Sequence, residues 1–462
     1  SDINLVAYTL NGESTTKTYA ELLTTNVVKN VTCKNGTTAN WDNTDFSIKL
    51  KNIHTPDYCT IDFTDGYTVT LTATNGSITP TSQTVGNGGT AKFTVTPNSG
   101  FKAELETNTC GGTLSGNTYT ISNITSAKSC SITFKSSTPT LLSQILKDNP
   151  TIKTRADFNT TFTETNTGTL YKATESIAGN TPKDVYYFAG DAKNNWVKFG
   201  GFYWRIIRTN HDGSIKLLYA GTSPDTTSGY IGTSSFNSTD KDPMYVGYKY
   251  GTTGSLENNR LNTNDSTIKT YIDNWYKNNL TAYTKYLSND AVYCNDRELA
   301  SGSTYSTSSS FNYASYGRLY TNKTPTYNCT NIKDAFSGSN SEAKLTYPIG
   351  LMTADEIAYA GGKAFTDLPS PYAWYYLNSA GGSITGSTPW SWYVLSPFGW
   401  TGSFSFVWGI GDPRAPGRLF DSGASGGTSV RPSVSLLSCN LISGGDGSAN
   451  NPYIVKTDGS SC

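Results

Sequence analysis

The sequence predicts an α+β protein in which two small all-β modules, residues 1–63 and 64–135, precede a larger α+β domain. Hydroxyl-bearing and apolar residues alternate through the first third of the chain, as they do in half-buried strands. The same third contains an internal repeat organised around cysteines. Later segments combine short strands with apolar residues at helical spacing behind capping residues. At 462 residues the chain is too long for one core, because domains usually hold about 100–200 residues.

Alternation is clearest in the second module, over residues 68–74 and 90–96. Asn75-Gly76 and Asn87-Gly88-Gly89 lie between these segments and are typical of tight turns. We therefore expect antiparallel strands joined by hairpins.

The eight cysteines are evenly divided between the repeat and the rest of the chain. An even number in a chain of export-like composition favours disulfides over free buried thiols, which are the alternative. In both copies of the repeat an Asn-Ile pair lies the same distance before the second cysteine. Equivalent cysteines should pair within each copy, and the others then pair by elimination, which predicts Cys33–Cys59, Cys110–Cys130, Cys294–Cys329 and Cys439–Cys462.

Residues 136–178 are predicted to be a linker and a helix that lead into the last domain, residues 179–462. Helices are expected where apolar residues at helical spacing follow capping residues, at 141–149, 268–283 and 353–361. Strands are expected at 185–188, 197–208 and 215–219, with a hairpin turn at 210–213. After the last helix only short strands and long turn-rich loops are expected.

Composition and charge argue against several partners. Lys plus Arg equals Asp plus Glu at 35 each, so no long-range field favours nucleic acid. No apolar run is long enough for a membrane span. The low charge and abundant Ser, Thr, Asn, Gly and Tyr suit β-rich extracellular proteins. Because the chain opens at Ser1 without Met or a signal-like segment, we expect an ectodomain whose export signal or anchor has been removed.

Few residues suit catalysis or metal binding. The two histidines, His54 and His211, lie far in sequence from any plausible nucleophile, which argues against a histidine-dependent enzyme. Asp355 and Glu356 are paired carboxylates, but a capping box explains them without catalysis. Asp240, Asp242, Asn264, Asp265 and Asp446 offer oxygen ligands for calcium, although such residues beside Gly more often form turns. No cofactor and no metal are predicted.

The most unusual segment lies near the C-terminus. Five of the nine tryptophans fall within 35 residues, namely Trp374, Trp390, Trp392, Trp400 and Trp408, and the first three are expected in the core. Between Asn378 and Asn440 there is no Asn, Lys, Glu or Gln, although Asn and Lys are frequent elsewhere.

The residues between these tryptophans follow neither the period of a strand nor that of a helix, which favours a loop surface. Aromatic residues and Arg beside Gly and Ser form a mixture that is typical of antibody-like binding surfaces. The predicted ligand-binding residues are Phe398, Gly399, Thr401, Ser403, Ser405, Gly409, Gly411, Asp412, Arg414, Ala415, Arg418, Phe420 and Asp421.

This segment resembles the C-type-lectin-fold variable proteins that diversity-generating retroelements diversify. The resemblance covers roughly residues 179 to 440 and rests on Trp392-Tyr-Val-Leu-Ser-Pro397, Val407-Trp408 and Val430-Arg431-Pro432-Ser433-Val434-Ser435-Leu436. In that family a reverse transcriptase miscopies adenines, so that template Asn codons become any of the fifteen amino acids that NNY codons encode. From Phe398 to Ser429 the only residue outside that set is Trp, whose codon contains no adenine.

The resemblance implies a C-type-lectin-like domain with a hypervariable loop surface over residues 398–429. It also implies an invariant scaffold for this surface, formed by Trp392, Pro397, Trp400, Trp408, Arg431 and Pro432. The formylglycine-generating enzymes share the fold but need a reactive cysteine pair, whereas the cysteines here are spaced as disulfides. The Glu-Pro-Asn and Gln-Pro-Asp motifs of calcium-dependent lectins do not occur in the sequence.

These observations predict an extracellular or cell-surface protein that binds an unknown protein or glycan ligand and is not an enzyme. The two β modules resemble the bacterial surface-repeat domains that space a tip domain from the cell. Two alternatives stay open. One is a structural surface or pilus subunit, because exposed aromatic patches also mark assembly contacts. The other is an enzyme of the formylglycine-generating or carbohydrate-active kind.

Overall fold

The computed structural model describes residues 3–42, 47–54, 56–224, 229–370, 374–376, 391–411, 415–460 and 462, without the side chains of residues 3–6, 23–25 and 47. The chain divides into two compact units, Ser1–Thr138 and Pro139–Cys462. Both helices and strands occur, and strands predominate, so the mixed α and β content predicted from the sequence is confirmed. None of the described helices is long and apolar enough to cross a lipid bilayer.

The described residues of the first unit form three sheets and one short helix. The seven-stranded sheet contains Phe101–Asn108, Lys128–Ser136, Asp57–Thr74, Ile3–Leu10, Glu13–Ser14, Asn26–Cys33 and Ser82–Gly86. The four-stranded sheet contains Thr113–Ser115, Thr118–Ile124, Gly89–Pro97 and Gly76–Thr79, and the two-stranded sheet contains Thr38–Asp42 and Ser47–Lys51. The helix is Tyr19–Thr25, and Thr18 caps its N-terminus.

A single strand, Asp57–Thr74, belongs to both copies of the repeat. Its first half pairs in parallel with Ile3–Leu10, and its second half pairs in parallel with Lys128–Ser136. The boundary that we placed between residues 63 and 64 therefore falls inside a continuous strand. The two predicted modules share this strand as the last of one and the first of the other.

The internal repeat appears in backbone geometry as well as in sequence. In each copy the strand that holds the second cysteine pairs antiparallel with a strand that contains or shortly precedes the first cysteine. That partner strand is Asn26–Cys33 in the first copy and Phe101–Asn108 in the second. The Asn of each repeated Asn-Ile pair has a left-handed backbone, with φ 51° at Asn52 and 56° at Asn123. Asn tolerates this conformation better than most residues, which accounts for its presence at both positions.

The predicted alternation is confirmed. Ala91, Phe93 and Val95 are buried while the threonines between and beside them are exposed. The pairing differs from a simple hairpin arrangement, because residues 68–74 and 90–96 lie in different sheets.

All four predicted disulfides are confirmed: Cys33–Cys59, Cys110–Cys130, Cys294–Cys329 and Cys439–Cys462. No free cysteine occurs. Each bond lies within one compact unit, so each closes a loop of that unit and lowers the entropy of its unfolded state.

The second unit contains two larger sheets, one large hydrophobic core and two smaller clusters of buried residues. The ten-stranded sheet contains Thr151–Lys153, Thr169–Glu175, Lys183–Tyr187, Trp196–Phe199, Phe202–Thr209, Ile215–Tyr219, Ile349–Gly350, Ser433–Leu436, Ile442–Gly444 and Tyr453–Val455. The seven-stranded sheet contains Thr233–Ser234, Phe311–Asn312, Lys363–Ala364, Ser391–Trp400, Ser405–Gly411, Arg418–Gly423 and Thr428–Ser429. Three two-stranded pairs join Thr165–Asn166 to Asp191–Ala192, Lys249–Tyr250 to Asn264–Asp265, and Tyr293–Cys294 to Ala335–Phe336.

The helices of this unit are short. The α-helices are Leu141–Asp148, Leu256–Asn259, Thr267–Asn279, Ala314–Tyr316 and Ala354–Ala360. The remaining helical turns are Pro243–Val246, Thr281–Tyr286, Ile332–Asp334 and Ser341–Ala343, which are 3₁₀, and Gly317–Asn322, which is π-helical.

The three predicted helices are present, with Thr140, Ser266 and Thr353 as N-caps. The second ends at Asn279 rather than at residue 283, and Tyr283 lies in the 3₁₀ turn that follows. The predicted strand 197–208 is wrong as a single element. Gly200 and Gly201 take left-handed backbone conformations, with φ 61° and 85°, and turn the chain between two paired strands. Adjacent glycines inside an apolar run are the sequence feature that marks this turn.

Candidate ligand-binding surface

The predicted ligand-binding segment forms three neighbouring strands of the seven-stranded sheet. Ser391–Trp400 pairs antiparallel with Ser405–Gly411, which pairs antiparallel with Arg418–Gly423. A turn joins the first two strands, in which the backbone N–H of Thr401 donates to the carbonyl of Phe404. The expectation of a loop surface over residues 398–429, with only short strands in this part of the chain, is therefore wrong.

Two structural features explain why apolar and polar residues do not alternate in the sequence of these strands. Most side chains of Ser391–Trp400 are buried whichever face they occupy, and Phe398 is the exception. The register of this strand also shifts twice, between Tyr393 and Pro397 and between Pro397 and Gly399. Such bulges reverse the in-and-out pattern, so a period of two disappears from the sequence.

Trp408 forms the floor of the candidate site. Its side chain is completely buried, and its indole Nε1 donates a 2.9 Å hydrogen bond to Oγ of Ser315. The Ser315 hydroxyl in turn donates to the carbonyl of Pro397. The ring of Phe398 meets Trp408 edge to face, with centroids 4.8 Å apart. The floor is thus fixed by packing and by a chain of hydrogen bonds.

Four aromatic side chains surround this floor, and we call Tyr316, Tyr320, Phe365 and Phe398 the aromatic surface. Ring centroids are separated by 5.2 Å for Tyr316 and Tyr320, 5.5 Å for Tyr320 and Phe365, and 5.3 Å for Tyr316 and Phe398. Tyr320 is 46% exposed and the other three are half-buried. The surface therefore offers contact area whose geometry is set by neighbouring rings.

Phe365 adopts an uncommon backbone conformation. Its φ is 54°, a left-handed value that is a genuine outlier for a bulky residue. Its N–H donates to the carbonyl of Leu419 at 2.8 Å, next to the short parallel pairing of Lys363–Ala364 with the strand that begins at Arg418. Backbone strain of this kind persists only where surrounding structure imposes it, and here it directs the ring toward Trp408 and Phe398.

The structure separates the thirteen predicted ligand-binding residues by exposure. Thr401, Ser403 and Asp421 are exposed, and Phe398, Arg418 and Phe420 are half-buried. Gly399, Ser405, Gly409, Gly411 and Ala415 are buried, and Asp412 and Arg414, like Trp390, lie outside the described residues.

The prediction that these five buried residues bind a ligand is wrong, because they have structural roles. A Cβ atom on Gly399 would lie 2.8 Å from Oδ1 of Asn312, and one on Gly411 would lie 2.2 Å from the carbonyl oxygen of Ala415. The hydroxyl of Ser405 donates to backbone carbonyls of Asp240 and Asp242. Residues held this closely cannot be exchanged freely or reach a ligand in this conformation.

The six predicted scaffold residues, Trp392, Pro397, Trp400, Trp408, Arg431 and Pro432, are all buried, as is Trp374. The guanidinium of Arg431 donates to the carbonyls of Tyr376 and Tyr219 and lies 4.9 Å from the ring centroid of Trp392. A buried Arg bonded in this way connects the two sheets of the unit.

Glu356 has a second role that the capping box did not reveal. The predicted box with Thr353 is present, and Glu356 is also completely buried against Lys216 Nζ at 2.8 Å and Arg208 Nε at 2.9 Å. Arg208 also forms an ion pair with Glu175, with 2.8 Å between Nη2 and Oε1. Asp355 forms an ion pair with Arg318, with 2.9 Å between Oδ2 and Nη2. Partners 140 and 148 residues away in sequence leave no local signal for such a network.

Charge pairing sets the ionisation of this network. Burial alone would raise the pKa of Glu175, but Arg208 and His211 more than offset it and hold the pKa at about 2. Burial likewise opposes the charged form of Glu356, yet Lys216 and Arg208 lower its pKa. Burial opposes the charged form of His211, but the Glu175 carboxylate, 3.5 Å from Nδ1, more than offsets this and raises the pKa of His211.

The calcium candidates take part in other interactions. Asp242 accepts from the N–H of Met244 as a helix cap, Asp265 pairs with Lys249 and Lys269, and Asp446 accepts from the N–H of Ser448. Among the described residues, no three His, Cys, Asp or Glu side chains are grouped so as to hold a metal ion.

Sequence reasoning missed Tyr316, Tyr320 and Phe365. They lie 33 to 82 residues before Phe398, and only folding brings them beside it. The abundance of Tyr between Tyr305 and Tyr320 was the one available signal.

Comparison with known proteins returned no relative. No protein-family profile, no curated protein and no solved structure matches the chain.

Proposed function

We propose that this chain is an exported ligand-binding protein, adhesin-like or receptor-like, that presents a variable surface on a C-type-lectin-like C-terminal domain and catalyses no reaction. The aromatic surface is the observation that carries the proposal. Aromatic side chains with few rotatable bonds give a ligand a large contact area at a low entropic cost, and they dominate many binding interfaces.

Diversification of this surface by adenine-directed retroelement mutagenesis is the second part of the proposal. Residues 398–429 contain only amino acids of the NNY set and Trp. Thr401 and Ser403 lie in a turn and Asp421 is exposed, so substitutions there leave the buried floor intact. The buried Gly399, Gly411 and Ala415 are expected to be invariant, which requires a template without adenine in their codons.

Export is supported by the disulfides. Four bonds and no free thiol are typical of proteins that fold in an oxidising compartment. We infer an extracellular or cell-surface location from this.

The absence of an enzymatic role is part of the proposal. The cavity beside Glu356 and Arg208 has a volume of about 20 Å³, which is enough for a water molecule and too small for an organic substrate. The charged groups around it are paired with one another as a buried structural network. The competing role as a structural subunit would use the same aromatic surface to contact a neighbouring copy.

Binding of fluorescently labelled protein to a panel of intact bacterial and epithelial cells, measured by flow cytometry, tests the proposal. The double variant Tyr320→Ser/Phe398→Ser should reduce binding at least ten-fold on every cell type that binds the native protein, because it removes two central anchors. Tyr58→Ser is the matched control, since Tyr58 in the first unit is 44% exposed.

Equal binding of the double variant and the native protein would overturn the proposal. So would concentration-dependent assembly of the native protein that the double variant abolishes, because that result identifies a structural subunit.

A further inference from the structure

A second recess lies beside the turn that follows Trp400. It is an open cleft of about 690 Å³, and its walls are residues 302–306 and 309–312 together with Trp400 and Thr401. We infer that this cleft binds an uncharged carbohydrate. It shares no lining residue with the aromatic surface, and although Thr401 belongs to the proposed variable segment, the inference rests on the other ten lining residues.

The cleft is built on paired backbone. Phe311 and Asn312 form a short strand opposite Trp400 and Gly399, which holds the end of the loop against the sheet. The hydroxyl of Ser306 accepts hydrogen bonds from two backbone N–H groups further along the loop, at 2.9 and 3.1 Å. These bonds fold the loop onto itself.

The loop also lies directly against the sheet turn. A Cβ atom on Gly402 would lie 2.9 Å from the carbonyl oxygen of Ser308, so only a glycine permits this approach without a shift. Gly402 has φ 90°, which also favours glycine. The two walls of the cleft are therefore held together by backbone contacts at its edge.

The chemistry of the lining identifies the class of ligand. None of the eleven lining residues is charged, and seven carry a hydroxyl group: Ser303, Thr304, Tyr305, Ser306, Ser309, Ser310 and Thr401. The hydroxyl of Tyr305 is buried and that of Thr401 is bonded to Phe404, so the serines and Thr304 supply the groups that can meet a ligand. The amide of Asn312 adds a group that both donates and accepts. A ligand with many neutral hydroxyl groups can exchange hydrogen bonds with such a lining, whereas a charged ligand would meet no counter-charge there.

Aromatic rings complete the site. Phe311 and Trp400 contribute to the walls, and Tyr305 lies with its ring centroid 5.5 Å from that of Phe311. Phe311 and Trp400 are buried, so the half-buried ring of Tyr305 is the aromatic face against which the C–H groups of a pyranose ring can pack. The volume is within the range of small-molecule sites.

Saturation-transfer NMR and calorimetry with four neutral disaccharides, maltose, cellobiose, lactose and N,N′-diacetylchitobiose, test the inference on the full chain. At least one should bind, and sialyllactose should bind no better than lactose. Ser310→Arg and Thr401→Arg place a long charged side chain at exposed positions of the wall and should weaken binding at least ten-fold.

Thr181→Arg, at an exposed position elsewhere on the second unit, is the matched control and should bind as the native protein does. The Tyr320→Ser/Phe398→Ser variant should keep its sugar binding, which separates this inference from the proposed function. No saturation transfer from any neutral disaccharide, or equal binding by Ser310→Arg and the native protein, would overturn it. Preference for sialyllactose would also overturn it.

Discussion

The indole Nε1 of Trp408 donates a 2.9 Å hydrogen bond to Oγ of Ser315, a residue 93 positions earlier in the chain. Ser315 lies in the short helix that ends at Tyr316, and Trp408 lies in the central strand beneath Phe398. This bond connects the helix that supplies Tyr316 to the strand paired with that of Phe398. The relative position of the rings in the aromatic surface therefore depends on a polar contact beneath them.

Trp408→Ala should lower the free energy of unfolding of the second unit by about 3–5 kcal/mol, because it leaves a large cavity. Ser315→Ala should lower it by about 1–3 kcal/mol, since the indole N–H then has no partner. Urea denaturation followed by tryptophan fluorescence measures both changes. A Trp408→Ala variant as stable as the native protein would show that this ring is not the floor of the site.

Substitutions in the predicted variable segment should affect stability less at exposed positions than at buried ones. Substitution of Thr401, Ser403 and Asp421 by other polar residues should change the free energy of unfolding by about 0.5 kcal/mol or less each. Gly399→Val and Gly411→Val should each cost about 1–3 kcal/mol or more, because their Cβ atoms meet backbone or Asn312. Thermal melts of the five variants provide the comparison, and equal tolerance at all five positions would contradict the assignment.

Local chemistry made much of the fold predictable. The Thr353 capping box, the hairpin at 210–213 and the repeat that pairs Cys110 with Cys130 all depend on residues near one another in sequence. What escaped prediction was the strand Asp57–Thr74, which continues through the expected module boundary because alternation does not mark where pairing partners change.

The candidate site was predictable only in part. Its composition located the segment that contains Phe398, but bulges and two-sided burial concealed the strands. Tyr320 and Phe365 join the site through long-range packing, which no local pattern in the sequence encodes.

Acid should destabilise the second unit through its buried carboxylates. The pKa of Glu175 is about 2 in the folded protein, below its ordinary value, so its contribution to stability is present above about pH 4.5 and is lost as the pH falls toward 2.

Glu356→Gln should lower the free energy of unfolding by about 3–5 kcal/mol near neutral pH, because Lys216 and Arg208 lose the negative charge that they share. Melting temperatures from pH 7 to 2 measure this, and a Glu356→Gln protein with an unchanged melting temperature at pH 7 would contradict it.

His211 should have the opposite pH dependence. Its pKa is raised in the folded protein by Glu175, in a setting that also includes Asp212 and Arg208. Its contribution is therefore fully present below the ordinary value of about 6.5 and is lost as the pH rises through the folded pKa. The difference in melting temperature between native protein and His211→Gln should be larger at pH 5.5 than at pH 9. A difference that grows with pH would refute this assignment.

The central claim is that residues 398–429 carry a variable binding surface on a fixed floor. Long-read sequencing of this gene and its surroundings across a population of the strain that carries it tests the claim most directly. We predict a near-copy of the segment that encodes residues 390–436 beside a reverse-transcriptase gene. Substitutions should fall at template adenines in the codons of Phe398, Thr401, Ser403, Arg418, Phe420 and Asp421, while those of Gly399, Trp408 and Gly411 stay constant. A gene without such a copy, or substitutions spread evenly over the chain, would contradict it.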